Sequence, residues 1–166
     1  ERCRVLLHLV DGSLAPSELG TAYLQVRREI AAYGNGLDRK IEILGLNKVD
    51  LMSPGDMERK RRALLEAAAG RNLNVMFPMV SEPWEFDAAK QVFEAQLEYL
   101  SARKKQLPSR IRYGAMLEVP ALAEMLDILL PNLDFLSIGT NDLTQFLFAA
   151  DRADPRLAER YDWLSP

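Results

Sequence analysis

The sequence is poor in the residues on which disulfide and histidine chemistry depend. It has one cysteine and one histidine among 166 residues. Cys3 alone excludes an internal disulfide, and no basic segment leads into an apolar stretch, so we expect a reducing, cytoplasmic location. No apolar run reaches the ~18 residues of a membrane span, and we expect no membrane partner. The net charge of −3 argues against nucleic acid as a partner.

Apolar residues follow two alternating patterns along the chain. Short runs rich in branched side chains occur at 5–10, 41–46, 74–80, 111–117 and 135–139, and each precedes a stretch with helical spacing. Short continuous apolar runs are typical of strands buried on both faces, and their alternation with helices indicates βαβ units. The sequence therefore predicts one α/β domain over residues 1–166 with a five-stranded parallel sheet. His8 lies inside the first run and is predicted to be a core residue, as is Cys3.

A polar segment with a guanine-recognition pattern follows the second run. It reads NKVD at 47–50. In such a motif the aspartate accepts two hydrogen bonds from the base, and the lysine stem covers the ring. A polar strand-to-helix loop explains four residues equally well. The chain contains no G-x-x-x-x-G-K-[ST] loop to cradle phosphates, which argues against GTP hydrolysis.

The surroundings of this motif add a family resemblance. The segments ERCR at 1–4 and LHLVDGS at 7–13, the helix through Arg28, Glu29 and Tyr33, and NKVD carry it. On these residues, positions 1–70 resemble the later half of an Obg-type GTPase domain. The resemblance implies that Asn47, Lys48 and Asp50 are vestigial guanine-specificity residues, with weak GDP binding at most. The family's D-x-x-G switch is absent.

Two carboxylates follow the fourth and fifth apolar runs. Glu118 and Asp142 are 24 residues apart, about one strand-helix repeat, which places both at the carboxyl edge of a parallel sheet. Ligands of α/β proteins bind at that edge, and a carboxylate pair suits Mg²⁺. Two unrelated loop or cap acids would give the same spacing.

The second half of the chain carries a more specific resemblance. Its segments are VMFPMVS at 75–81, MLEVPA at 116–121, SIGTNDLTQ at 137–145 and the DR pair at 151–152. Residues 73–166 thereby resemble the C-terminal barrel of phosphoenolpyruvate (PEP)-utilising phosphotransferases of the enzyme I type. The resemblance implies that Glu118 and Asp142 bind Mg²⁺ weakly and that Asn141 and Arg152 contact the phosphate of PEP. The family's phosphate-binding arginines, catalytic cysteine and phosphorylated histidine have no counterpart.

These observations predict a chimera, engineered or recombined, with a joint near 70–80. We expect neither a complete active site nor catalytic activity. The alternatives are a fragmentary PEP-protein phosphotransferase and a module that binds guanine nucleotide or Mg²⁺ weakly. The GTPase resemblance implies a doubly wound, three-layer sheet (flavodoxin-like or Rossmann-like) with strand order 5-4-1-2-3. The alternative fold is a five-unit (βα) half-barrel, whose bare apolar sheet face favours a homodimer.

Overall fold

Five strands and six α-helices alternate in the part of the chain that the computed structural model describes, which is residues 5–48, 51–151, 154 and 156. The strands are β1 (Val5–Asp11), β2 (Ile41–Asn47), β3 (Asn72–Phe77), β4 (Arg110–Leu117) and β5 (Phe135–Ile138). The helices are α1 (Pro16–Tyr33), α2 (Pro54–Ala67), α3 (Pro83–Ala102), α4 (Pro120–Ala123), α5 (Leu126–Leu129) and α6 (Thr140–Phe148). Short 3₁₀ turns occupy Leu37–Arg39 and Leu130–Asn132. None of the described helices combines the length and apolar character needed to cross a membrane.

The strands form one sheet in the order β1-β2-β3-β4-β5, with parallel pairing of β1 with β2, β2 with β3, and β4 with β5. The predicted α/β class with five parallel strands is confirmed. The doubly wound order 5-4-1-2-3 is wrong, and the sequential order is that of the half-barrel alternative.

The connection between α3 and β4 explains the sequential order. The Gly70 N–H donates to the Leu107 carbonyl at 2.9 Å, and the Ser109 N–H donates to the Arg71 carbonyl at 2.8 Å. Both bonds tie the entry of β4 to the entry of β3, so β4 begins beside β3 instead of returning to β1. Backbone groups bound in this way are satisfied where they are, and moving β4 across the sheet would break them.

Helix boundaries follow the capping signals in the sequence. The Asp56 N–H donates to Ser53 Oγ at 3.2 Å, and Pro54 is the first residue of α2. Gly34 follows α1 with φ +73°, a backbone conformation that glycine adopts without a steric cost. These local signals set the ends of α1 and α2 before any tertiary contact is considered.

The described chain divides into two compact units. The first comprises the chain up to Met76 together with Lys90–Arg112, and the second comprises Phe77–Ala89 and the chain from Tyr113 onward. Leu19, Tyr23, Leu65 and Leu100 are fully buried in the first unit. Phe86, Leu122 and Leu129 are fully buried in the second. Each unit therefore has its own apolar core.

One face of β1 is covered by α1 and the other is bare. His8 and Val10 are buried, and the His8 ring stacks on Tyr23 of α1 with 5.2 Å between centroids. Leu7 and Leu9 point the other way and are 56% and 57% exposed. Together with Val5 and Ile41 these leucines form an apolar, exposed face of β1 and β2, as the half-barrel alternative expects.

A polar network lies under α1. His8 Nδ1 and Glu42 Oε1 are 2.8 Å apart, and Arg27 Nη1 lies 3.0 Å from the other oxygen of Glu42. Burial, and secondarily the negative charge of Glu42, raise the pKa of the neighbouring Tyr23. His8 is 8% exposed, which confirms its prediction as a core residue.

Candidate functional site

Glu118 is a buried carboxylate held by the backbone of a neighbouring loop. It directly follows β4 and is 4% exposed. Its Oε1 accepts a hydrogen bond of 2.6 Å from the Met79 N–H, in the connection between β3 and α3. Met79 has φ +55°, a left-handed conformation that non-glycine residues rarely adopt. A carboxylate buried with such a donor is fixed in position.

A glycine makes the space for that carboxylate. Gly139 follows β5, and its N–H donates to the Leu117 carbonyl at 2.9 Å. A Cβ at position 139 would lie 2.9 Å from both Cβ and Oε2 of Glu118 and 3.0 Å from Met116 Sδ. Glu118 therefore packs against the backbone of residue 139, which directly precedes α6.

Asn141 and Asp142 lie in the first turn of α6, two and three positions after that glycine. Leu117 pairs with Ile138 in the parallel ladder of β4 and β5, so Glu118 and the start of α6 occupy the same carboxyl edge. Asp142 is half-buried, and its Oδ1 accepts a hydrogen bond of 3.3 Å from Gln145 Nε2. Asn141 is exposed. Arg152, the other predicted phosphate contact, lies outside the described residues.

The donor chemistry of this edge fits Mg²⁺. Among the described residues no group of three or more side chains is placed to hold a metal ion. The acidic side chains of this edge are those of Glu118 and Asp142. Mg²⁺ in proteins is commonly bound by one or two carboxylates, with waters and substrate phosphate completing the octahedron. Glu118 and Asp142 supply the hard oxygen donors that this pattern requires.

The predicted guanine-specificity residues are engaged locally. Lys48 Nζ lies 2.8 Å from Asp11 Oδ2, and the Lys48 N–H donates to the Asn47 side chain. The hydrogen bond from Lys48, followed by those from Ser13, holds the pKa of the Asp11 carboxyl well below its usual range. The Lys48 stem is thereby tied to the end of β1. Asp50 lies outside the described residues.

Sequence comparison identifies the family. Residues 44–166 match the PEP-utilising enzyme, PEP-binding domain family, and the chain belongs to this family. The match includes β4, β5 and the carboxyl edge that carries Glu118 and Asp142. This confirms the resemblance predicted for residues 73–166 and extends it toward the N-terminus.

Similar proteins share one name, phosphoenolpyruvate-protein phosphotransferase. The protein of Enterococcus faecalis strain V583 is 39% identical over 121 residues, which is 72% of this chain and 21% of that protein. The protein of Haloferax volcanii is 44% identical over 114 residues, 66% of this chain and 20% of its own length. The Staphylococcus aureus protein is 41% identical over 105 residues, which is 63% of this chain and 18% of that protein. The chain thus spans about a fifth of these relatives.

The comparisons correct three predictions. The family match begins at residue 44 and continues through the supposed joint at 70–80, so a chimera or an engineered protein is wrong. The same match includes Asn47, Lys48 and Asp50, and no comparison supports a GTPase fragment. The expectation that the protein is not an enzyme is also contradicted, because its relatives are named as an enzyme. The short segments at 1–4, 7–13 and 47–50, with three residues of the first helix, were too unspecific to establish a second parent.

Two contributors to the site were missed from the sequence. Gly139 stands between an apolar strand and a helix, and a glycine in that place is a recognisable signal for close backbone approach. The Met79 N–H carried no such signal, because methionine gives no indication of a left-handed backbone. Met79 contributes through its backbone N–H, which donates to Glu118, and Gly139 contributes through its backbone, against which Glu118 packs.

We expect Gly139→Ala to disturb Glu118. The new Cβ would meet Glu118 at 2.9 Å, and the buried carboxylate has little room to retreat. Overpacking of this kind costs about 1–3 kcal/mol of unfolding free energy. Denaturant unfolding measures the loss. The matched control is Gly20→Ala in α1, whose Cβ would find its nearest neighbour at 3.5 Å. Equal effects of the two substitutions would contradict this role of Gly139.

Proposed function

We propose that this chain binds PEP together with Mg²⁺ and forms part of an enzyme that transfers the phosphoryl group of PEP to a protein. The observation that carries the proposal is the placement of Glu118 and of the Asn141–Asp142 pair. They lie at the carboxyl ends of adjacent parallel strands, within the residues that match the PEP-binding family. Ligand sites of α/β folds form at this edge.

Each residue has a distinct role in the proposed site. Glu118 and Asp142 would hold Mg²⁺, and the Met79 N–H, which donates to Glu118 Oε1, would keep that carboxylate in place. When bound, Mg²⁺ offsets the negative charge of the phosphate and carboxylate groups of PEP. The amide of Asn141 and the guanidinium of Arg152 would donate hydrogen bonds to the phosphate. The unpaired N–H groups at the start of α6 favour an anion at the same place.

His8 is assigned to the core and not to phosphoryl transfer. It is the only histidine of the chain, it is buried against Tyr23, and its Nδ1 contacts Glu42. A phosphoryl acceptor needs an accessible ring nitrogen that can approach PEP. Phosphorylation of His8 would have to break the contact with Glu42 or displace the ring from Tyr23.

Calorimetric titration with PEP tests the proposed function. We expect saturable binding in the presence of Mg²⁺ and a large loss of affinity when the metal is removed by EDTA. Pyruvate, which lacks the phosphate, is the matched control ligand and should bind far more weakly. Absence of saturable PEP binding, or an affinity that is the same with and without Mg²⁺, would contradict the proposal.

A further inference from the structure

A basic cavity lies at the amino ends of β2, β3 and β4, within the first compact unit. Its volume is about 300 Å³, at the lower end of the range for small-molecule pockets. We define the basic cavity by its six cationic lining residues, which are Arg27, Arg39, Lys40, Arg71, Arg110 and Arg112. It shares no residue with the edge that carries Glu118 and Asp142.

The charges around this cavity are strongly unbalanced. Six cations face two carboxylates, those of Asp38 and Glu42. Glu42 is already engaged, because its two oxygens contact His8 and Arg27 at 2.8 and 3.0 Å. Apart from Arg27 and Lys40, four arginines line the cavity, at positions 39, 71, 110 and 112, and Asp38 is the other carboxylate of the lining. Crowded like charges repel one another, and a concave wall focuses their field on whatever occupies the cavity.

Hydrogen-bond donors of the cavity are also left without acceptors. Arg27 Nε is buried and has no partner among the described residues, although its Nη atoms contact Glu42 and the Asp38 carbonyl. A buried donor without an acceptor is unfavourable, because it has lost its hydrogen bond to water without gaining another. The guanidinium groups of Arg71, Arg110 and Arg112 make no hydrogen bond or ion pair with any other described residue. Arg71 and Arg110 are exposed and Arg112 is half-buried, so these groups are accessible to a ligand from solvent.

We propose that the basic cavity binds a small anion that carries two or more phosphate groups. Each guanidinium group presents paired N–H donors that match the oxygens of a phosphate group. Several guanidinium groups around one cavity therefore fit a ligand that carries several phosphate groups. The cavity volume of about 300 Å³ fits a small molecule better than an extended polyanion, which would need an open track along the surface. Such a ligand would supply the acceptors and the negative charge that the cavity lacks.

Inorganic pyrophosphate is the probe for this site. Titration is done at constant ionic strength with EDTA present, because removing the metal silences the proposed PEP site. We expect saturable binding, and about a tenfold loss of affinity in each of Arg71→Gln and Arg112→Gln. Arg71 directly precedes β3 and Arg112 lies in β4, so one variant remains informative if the other lowers the melting temperature of the ligand-free protein.

Two control variants make the test specific. Arg28→Gln removes the same charge from an exposed position of α1 outside the cavity, and Asp142→Asn alters the proposed metal site. Both should bind pyrophosphate as the unchanged protein does. The proposal is overturned if pyrophosphate shows no saturable binding. It is also overturned if Arg28→Gln lowers the pyrophosphate affinity as much as the cavity variants do, because that result would indicate unspecific attraction. A lower pyrophosphate affinity in Asp142→Asn would overturn it as well. So would an oligonucleotide that binds far more tightly than pyrophosphate and competes for the same arginines.

Discussion

Asp142→Asn and Glu118→Gln are each expected to lower the Mg²⁺-dependent affinity for PEP by about a hundredfold or more. Each substitution removes one of the two negative charges of the proposed metal site, while the side chain keeps its size. Mg²⁺ dehydrates reluctantly and prefers charged oxygen ligands, so a neutral amide is a poor replacement. Calorimetric titration with PEP at saturating Mg²⁺ measures the change.

Structural damage can be separated from lost metal binding. In Glu118→Gln the side-chain oxygen can still accept the Met79 N–H, so the fold should be retained and thermal unfolding without ligand should change little. Asp127→Asn is the matched control, because Asp127 is an exposed acid at the start of α5 in the same compact unit. PEP affinities that match the unchanged protein in both site variants would refute the assignment of these carboxylates.

The second large effect is expected from Glu42→Ala, which should lower the free energy of unfolding by about 3–5 kcal/mol. Glu42 and Arg27 have side chains that are only 10% and 13% exposed, and Glu42 also contacts His8. Removing the carboxylate leaves the Arg27 charge buried without its counter-ion. Urea unfolding followed by circular dichroism measures the loss.

Two further variants test whether the network acts as a unit. Glu29→Ala removes an exposed acid of α1 and should change the unfolding free energy by less than about 0.5 kcal/mol. Combining Glu42→Leu with Arg27→Met should recover much of the loss, because apolar groups can replace a buried ion pair without leaving a lone charge. A cost of Glu42→Ala as small as that of Glu29→Ala would show that water already screens this network.

Local patterns in the sequence predicted much of the fold. The apolar runs located all five strands, and Ser53 with Pro54 marked the start of α2. The spacing of Glu118 and Asp142 predicted their common edge, since adjacent parallel strands end together. These features succeed because each depends on periodicity or capping within a few residues.

Features that depend on contacts distant in sequence were not predictable in the same way. The strand order depends on backbone hydrogen bonds of Gly70 and Ser109 with partners 37 or 38 positions away. Backbone hydrogen bonds of this kind do not depend on the residue type, so no pattern in the sequence predicts them. The guanine motif misled for a related reason, because Lys48 has the residue type of a base-binding lysine but pairs with Asp11. Only the fold reveals which partner a polar side chain finds.

The bare leucines of β1 have a practical consequence for spectroscopy. Dyes such as ANS fluoresce when they bind accessible apolar surface, and their emission is widely used to detect molten globules. Leu7 and Leu9 offer such surface in the folded state, with more than half of each residue exposed. Dye fluorescence from this protein will therefore report native surface as well as partial unfolding. Loss of near-ultraviolet dichroism is the signal that separates the two.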